Sequence, residues 1–473
     1  MNLALLSLAL PLVGALLLVL LRPAGGRWVI LINLASTLAA AGALHQVMQT
    51  GAQWLELGGW SAPLAIRFQL TPLAALLLLF TAGLHLLVAL YAARSRHAIG
   101  GEDFWPLSCL LQAALAALWL SGDLFNLYVT LELLSLAAVA LVALAGAKAY
   151  RPALNYLLLS LAGSLAYLFG VALLYGRYGV LDIVLLGELA EADATTRLAL
   201  LLMSLGLMLK AALWPLHLWL PPAHAGAPAA VSALLSALVV KGPLYILWLL
   251  WSRIAPVELA QSAGGLFAVA GIFALLCGGW SALRAPYLKT LVAYSTVAQL
   301  GYALLALGLL LRWQEPGLGA ALWLFVLAHG LAKVSMFLAA GELQHTLGSK
   351  RVRALKGASQ TMPLALFAFA VAGGSLIGLP PSGGFLAKWL LLQPLFLQPQ
   401  HWPWAIGVLL GTLASAAYVF RVVALGFDRA RPTPASFHPD RLAQWLAMLP
   451  ALLVWCLALI SKPLLLWIGG VSQ

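Results

Sequence analysis

Apolar residues fall in runs long enough to span a bilayer's hydrocarbon core, about 20 residues each, and short stretches rich in charge, proline or glycine interrupt them. Leu, Ala and Val fill most positions of each run, so helical amphipathicity is weak and length is the stronger signal. Read this way, the chain predicts 14 transmembrane helices near 2–21, 28–48, 72–93, 105–120, 124–145, 152–175, 197–220, 229–251, 263–283, 289–311, 318–343, 361–397, 404–425 and 442–468. Prolines 215, 221 and 222 break the seventh run, and Pro380, Pro381, Gly383 and Gly384 break the twelfth. At membrane depth a broken helix frees backbone carbonyls that only protein or a wet cavity can satisfy, so both breaks are candidate sites.

Five helices separate the two breaks, and an odd offset reverses direction through the bilayer. The expected fold class is therefore an all-α polytopic membrane protein with two inverted five-helix repeats, helices 4–8 and 9–13, each holding a discontinuous helix. Its organisation is one transmembrane domain over 1–473. Peripheral helices occupy 1–104, the first repeat 105–251, the second 263–425 and a final helix 442–468.

Composition agrees: of 473 residues 63% are hydrophobic and only 8% charged, with a net charge of +12. Mean hydropathy is +0.99, which excludes a water-soluble domain. The bases are scattered through short loops instead of forming one basic face, which argues against nucleic acid. Taking the ends of odd-numbered helices as cytoplasmic puts most of the 26 Lys and Arg inside, Lys148, Arg151, Arg284, Lys289, Lys350, Arg351 and Arg353 among them. Both termini then face away from the cytoplasm. The N-terminal run has no basic flank ahead of it and is read as a first helix without a cleaved signal. Cys109, Cys277 and Cys456 lie far apart in apolar runs and read as packing residues. No metal cluster, nucleotide loop, nucleophile elbow or haem motif occurs, so neither a cofactor nor a catalytic centre is expected.

The chemistry lies in charges set inside apolar runs. Glu132 is read as the only acid in the middle of a span, with Lys210 as its natural partner; Lys241, Lys333 and Lys388 are similarly placed. A charge at the bilayer centre costs roughly 2.5–3.5 kcal/mol, so five together are a heavy load for a purely structural bundle. A connected proton path explains them better than snorkelling to an interface does. His217 and His224 in the broken seventh segment, and His329 four residues before Lys333, are candidate relays, since imidazole titrates near neutrality. His85 and His345 are weaker candidates, and His97 falls in a loop.

The stretches DLFNLYVTLELLSL from Asp123, KAALWPLHLWLPPAHAGAPAAVSALL from Lys210 and LKTLVAYSTVAQLGY from Leu288 carry a family pattern, as do AHGLAKVSMFLAAG from Ala328 and LPPSGGFLAKW from Leu379. Over about residues 70–425 the chain resembles the antiporter-like subunits of Mrp-type sodium/proton antiporters, respiratory complex I and membrane-bound hydrogenases, most closely the D-type member of the Mrp antiporters. The resemblance implies that Glu132 and Lys210 form a coupling pair and that Lys241, Lys333 and Lys388 continue the path. It also implies other membrane subunits as partners, protons with sodium as a second candidate ion, and a bacterial inner membrane. Alternatives within the same resemblance are an N-type pump subunit of a complex I-type quinone oxidoreductase or hydrogenase, and a proton-coupling subunit of an inorganic carbon uptake complex. Pro222 departs from the family, where an acid is frequent, and Thr290 departs where arginine is frequent.

Overall fold

In the computed structural model, which describes residues 1–21, 25–57, 66–428, 437–461 and 464–465, helices dominate. They run, in order, α1 (Asn2–Leu21), α2 (Gly25–Thr50), α3 (Pro72–Arg94), α4 (Phe104–Leu120), α5 (Leu124–Ala143), α6 (Ala147–Tyr178), α7 (Ile183–Leu189), α8 (Ala194–Lys210) and α9 (Leu220–Gly226). There follow α10 (Ala229–Leu234), α11 (Lys241–Leu249), α12 (Val257–Arg284), α13 (Leu288–Trp313) and α14 (Pro316–Thr346). The last are α15 (Ala358–Thr361), α16 (Pro363–Ile377), α17 (Gly383–Phe396), α18 (Trp402–Phe427) and α19 (Arg441–Cys456). Among the described residues 10 helices are long and apolar enough to cross a membrane.

Both expected breaks are present. The seventh run ends as α8 at Lys210 and resumes as α9 only at Leu220; the twelfth divides into α16 and α17 between Gly378 and Ser382. The eighth run, expected to be regular, contains two π-helical turns, Leu235–Val239 and Leu250–Ile254. The apolar pattern assigns no element to 53–70, yet Gln53–Leu57 and Ile66–Leu70 pair as an antiparallel hairpin, β1 and β2, at the end where α2 hands over to α3. The final helix ends at Cys456, and the far end of the expected 442–468 run falls outside the described residues.

Central and peripheral helices differ in burial. Residues 229–251 and, within α14, residues 321–343 are wholly enclosed, and α13 nearly so. In contrast α1, α2, α6 and α18 turn Leu16, Leu20, Leu31, Leu165, Phe169, Leu413 and Phe420 outward, as a lipid-facing surface requires. Cys277 and Cys456 also face outward, because their helices present those sides to the surroundings; of the three cysteines only Cys109 is packed inside. Small residues let helices approach closely: a Cβ on Gly206 would stand 2.2 Å from the Gly163 carbonyl oxygen. That contact presses α6 against α8 and carries the serines of α6 to the end of α8.

Candidate functional site

Lys210 is the last residue of α8, and the chain leaves the helix through Ala212 at a positive φ of 52°. The indole of Trp219 caps part of the vacated turn, donating to the Leu209 carbonyl at 2.8 Å. The Lys210 ammonium therefore projects from a helix end, towards α5 and α6. It donates to Glu132 Oε1 at 2.8 Å, Ser135 Oγ at 2.8 Å and Ser160 Oγ at 3.0 Å. The hydroxyl of Ser164, one turn beyond Ser160 on α6, donates to the same carboxylate oxygen. Lys210 is 2% exposed and Glu132 19%, so the pair reaches from the interior to the lateral surface of the chain. At an effective dielectric near 20 two unit charges at this separation attract by roughly 6 kcal/mol, much of it offset by desolvation.

A second cluster forms where the central helices meet. In the π turn the Val240 N–H bonds Leu235, one residue further back than an α-helix allows. The Ser236 carbonyl is thereby left for Lys241 Nζ, which bonds it and also lies 2.7 Å from His329 Nδ1. One turn along α14, Lys333 is fully enclosed and donates to the Val292 carbonyl at 2.9 Å and to Ser295 Oγ. His224 stacks on Phe337 with ring centroids 4.6 Å apart, and neither of its ring nitrogens finds a partner among the described residues. Lys241, Lys289 and Lys333 all bear on it electrostatically.

The third cluster surrounds Lys388, in the first half of α17. Its ammonium donates to the Leu376 carbonyl at 2.9 Å and the Ile377 carbonyl at 3.1 Å, both freed where α16 stops at Gly378. Tyr302 Oη and Thr412 Oγ1 stand 3.2 Å away, and the Tyr302 ring lies beneath it with its centroid at 4.2 Å. The amide of Gln299 bridges Leu376, Ser415 and Tyr418 alongside. Among the described residues Lys388 forms no ion pair.

Of the residues singled out from sequence, Glu132 and Lys210 meet directly, as do Lys241 and His329. Lys333 and His224 lie close by without touching either pair, and Lys388 stands in its own cluster. His217 sits half-buried in the α8–α9 break, and no other residue singled out from sequence bonds its ring. One reading needs correction, and one enclosed acid lies outside the middle of any span. Glu342, near the end of α14, is 1% exposed and accepts from Tyr91 Oη at 2.7 Å and Ser95 Oγ at 2.9 Å. It escaped notice because it precedes the polar stretch QHTLGSK and reads as a helix end. Lys289, counted among the loop bases, is buried, with its ammonium on the Ala227 carbonyl. The serines Ser135, Ser160 and Ser164 and the Tyr302–Thr412–Gln299 group were also missed. For the serines of α6 the available signal was their four-residue spacing within an apolar helix.

Comparison with known proteins assigns this geometry to a family. Residues 121–414, which include every lysine just described, match the family model "NADH:quinone oxidoreductase/Mrp antiporter, TM". The chain belongs to this family. Within it, the chain is 36% identical to NADH-quinone oxidoreductase subunit N of Desulforudis audaxviator, over 85% of this chain and 81% of that one. It is 30% identical to the D-type subunit of the Na(+)/H(+) antiporter from Bacillus subtilis, over 92% and 89%. Among solved structures it matches a chain of the archaeal membrane-bound sulfane sulfur reductase with a TM-score of 0.92 and 28% identity, covering 100% of this chain and 97% of that one. A chain of the Mrp complex from Dietzia shares the fold, with a TM-score of 0.90 at 24% identity and coverage of 100% and 97%. The chain is thus a multi-pass membrane protein of the NADH:quinone oxidoreductase/Mrp antiporter family.

Proposed function

We propose that the chain is the proton-translocating subunit of a multisubunit cation/proton antiporter, most like the D-type member of the Mrp complexes, working beside other membrane subunits in a bacterial inner membrane. The observation that carries the reading is the 2.8 Å contact between Lys210 Nζ and Glu132 Oε1 at the open end of a half-helix. A buried ammonium held by one carboxylate at the chain's lateral surface is a switch: drawing Glu132 away destabilises the charge on Lys210, which releases its proton. The proton passes to Lys241 and His329, then by Lys333 to Lys388, with His217 and His224 as side relays and water bridging the gaps. In this reading the α8–α9 and α16–α17 breaks belong to two inverted five-helix units that open on opposite sides, and both termini lie on the non-cytoplasmic side.

The test is proton uptake by everted membrane vesicles carrying the whole complex, with Lys210→Ala or Glu132→Ala in this chain. Transport should fall at least about 100-fold, the scale of losing a positioned proton donor. Normal pumping by an assembled variant would end the proposal. A second reading, a pump subunit of a complex I-type enzyme, draws on the 36% identity to an N-type relative. The chains that co-purify with the native assembly separate the two: small antiporter subunits favour the first, iron–sulfur subunits the second.

A further inference from the structure

One titratable cluster lies outside the lysine path, at the face where α3 ends and α13 begins. A cavity of about 350 Å³ opens there, lined by His97, His345, Lys289 and Lys350 and by the backbone around Ala227 and Gly341. The imidazoles of His97 and His345 stack with centroids 3.7 Å apart and planes 12° from parallel, and Phe437 covers the other face of His345 at 4.6 Å. Behind them is the enclosed Glu342, 3.5 Å from His97 Nε2 and hydrogen-bonded to Tyr91 and Ser95. On the inner wall Lys289 holds the Ala227 carbonyl, in the hinge between α9 and α10. Three residues before that carbonyl is His224, enclosed, with two unpartnered ring nitrogens and Lys241 and Lys333 beyond it.

From this arrangement we propose that the cavity is the mouth through which protons pass between the face where α3 ends and α13 begins and the lysine path. The stacked histidines form the collecting group, and Lys289 and His224 form the connection inward. Two imidazolium rings 3.7 Å apart repel, so the pair takes up one proton at a time, and the Glu342 carboxylate beside His97 stabilises that single charge. Lys350 faces the pair from the loop after α14 and opposes a second proton, while Lys289 faces it from α13 as the acceptor. Behind Glu342 on the α3 side stand Tyr91, bonded to its carboxylate, and the Arg94–Asp440 ion pair, with Arg94 Nε 2.6 Å from Asp440 Oδ2. In the step itself a proton leaves an imidazolium nitrogen for the neutral Lys289 amine, and from there reaches His224; no other bond changes. Loss of the proton restores a neutral histidine pair, ready for the next.

This inference rests on the proposed proton transport, and its test separates the two. In everted vesicles holding the whole complex, His97→Gln/His345→Gln should slow proton flux about tenfold when the face that carries the mouth is at about pH 8, where a collecting base matters most, and less at about pH 6.5. Glu342→Gln should move the pH profile the same way. Independently, Gln344→Cys in a chain lacking the three native cysteines should let a membrane-impermeant thiol reagent block flux from the face that carries the mouth only. Flux unchanged at both pH values, with Lys210→Ala inactive, overturns the mouth and leaves the transport reading standing. A block from the opposite face also overturns the mouth. If Lys210→Ala pumps normally, the transport reading fails first and the mouth falls with it.

Discussion

Lys210 and Lys388 both sit beside an interrupted helix, yet the protein stabilises them by different means. Lys210 ends its half-helix and meets a carboxylate and three serines, one of which serves the carboxylate rather than the amine. Lys388 follows its break and meets two freed carbonyls, two hydroxyls and an aromatic face, with no acid. The first arrangement depends on the position of one movable charge, Glu132, which is also the part nearest the lateral surface. The second depends on dipoles fixed to the backbone. One break therefore supplies a site that a neighbouring event can modulate, and the other a site of constant affinity.

The sharpest way to break this contrast is to neutralise each lysine. Lys210→Met and Lys388→Met should both lower proton flux at least about 100-fold, since each removes a link in the path; a fully active Lys388→Met would confine transport to the first break. Stability should then part them. Lys210→Met strands a half-buried carboxylate and should cost about 3 kcal/mol, the low end for a broken ion pair because solvent screens Glu132. Adding Glu132→Gln should recover most of it. Lys388→Met leaves the Leu376 carbonyl with Gln299 and the two hydroxyls with each other and strands only the Ile377 carbonyl, so a smaller cost of about 1–2 kcal/mol is expected. Thermal unfolding of the solubilised assembly reads both, and equal losses would erase the distinction.

A smaller effect tests how the dipolar site is held. At Gly384 a Cβ would stand 1.9 Å from the Ser375 carbonyl oxygen, so Gly384→Ala must push α17 off the end of α16. A cost of about 1–3 kcal/mol is expected, with Lys388 drawn from its carbonyls and flux reduced, whereas the Lys210 pair should be untouched. The least effect is at the helix caps. Asp193 caps α8 and is held down to about 2 by the Thr196 N–H and then by Arg177, whereas Ser382, which caps α17, carries no charge. The Asp193 contribution is complete above the ordinary value of 3.8 and fades as pH falls through about 2. Hydrogen exchange in the first turn of α8, corrected for intrinsic rates, should rise over that window and in α17 should not. Asp193→Asn should flatten the response of α8.

What could be read from sequence followed from physical one-sidedness. Long apolar runs have one outcome in a bilayer, and paired prolines cannot continue a helix, so the membrane class and both breaks were legible, whereas 14 spans were expected and 10 helices among the described residues are long and apolar enough to cross. Glu132, Lys210, Lys241, Lys333 and Lys388 stood out because a charge in oil is conspicuous. Groups that match their surroundings in type did not stand out: Tyr302, Gln299 and the serines of α6 look like ordinary packing residues until distant helices meet. Lys289 was misread as a loop base, and Glu342 did not stand out, for a related reason, since a charge near a helix end reads as a loop residue, and only neighbouring helices decide whether it is covered. The hairpin of β1 and β2 was missed because its ten strand residues alternate too briefly, beside a Gly/Pro-rich stretch, to stand apart from a loop.

The widened turn at Leu235–Val239 carries one residue more than an ordinary revolution would need. Deleting Ala237 would let the rod close into a regular spiral while everything downstream, Lys241 included, kept its orientation. Such a shortened protein should insert and assemble, but the Lys241 backbone N–H would claim the Ser236 oxygen that its ammonium now holds and loosen the seat of Lys241 against His329. A single surplus residue therefore separates a membrane rod that merely packs from one that keeps an amine poised.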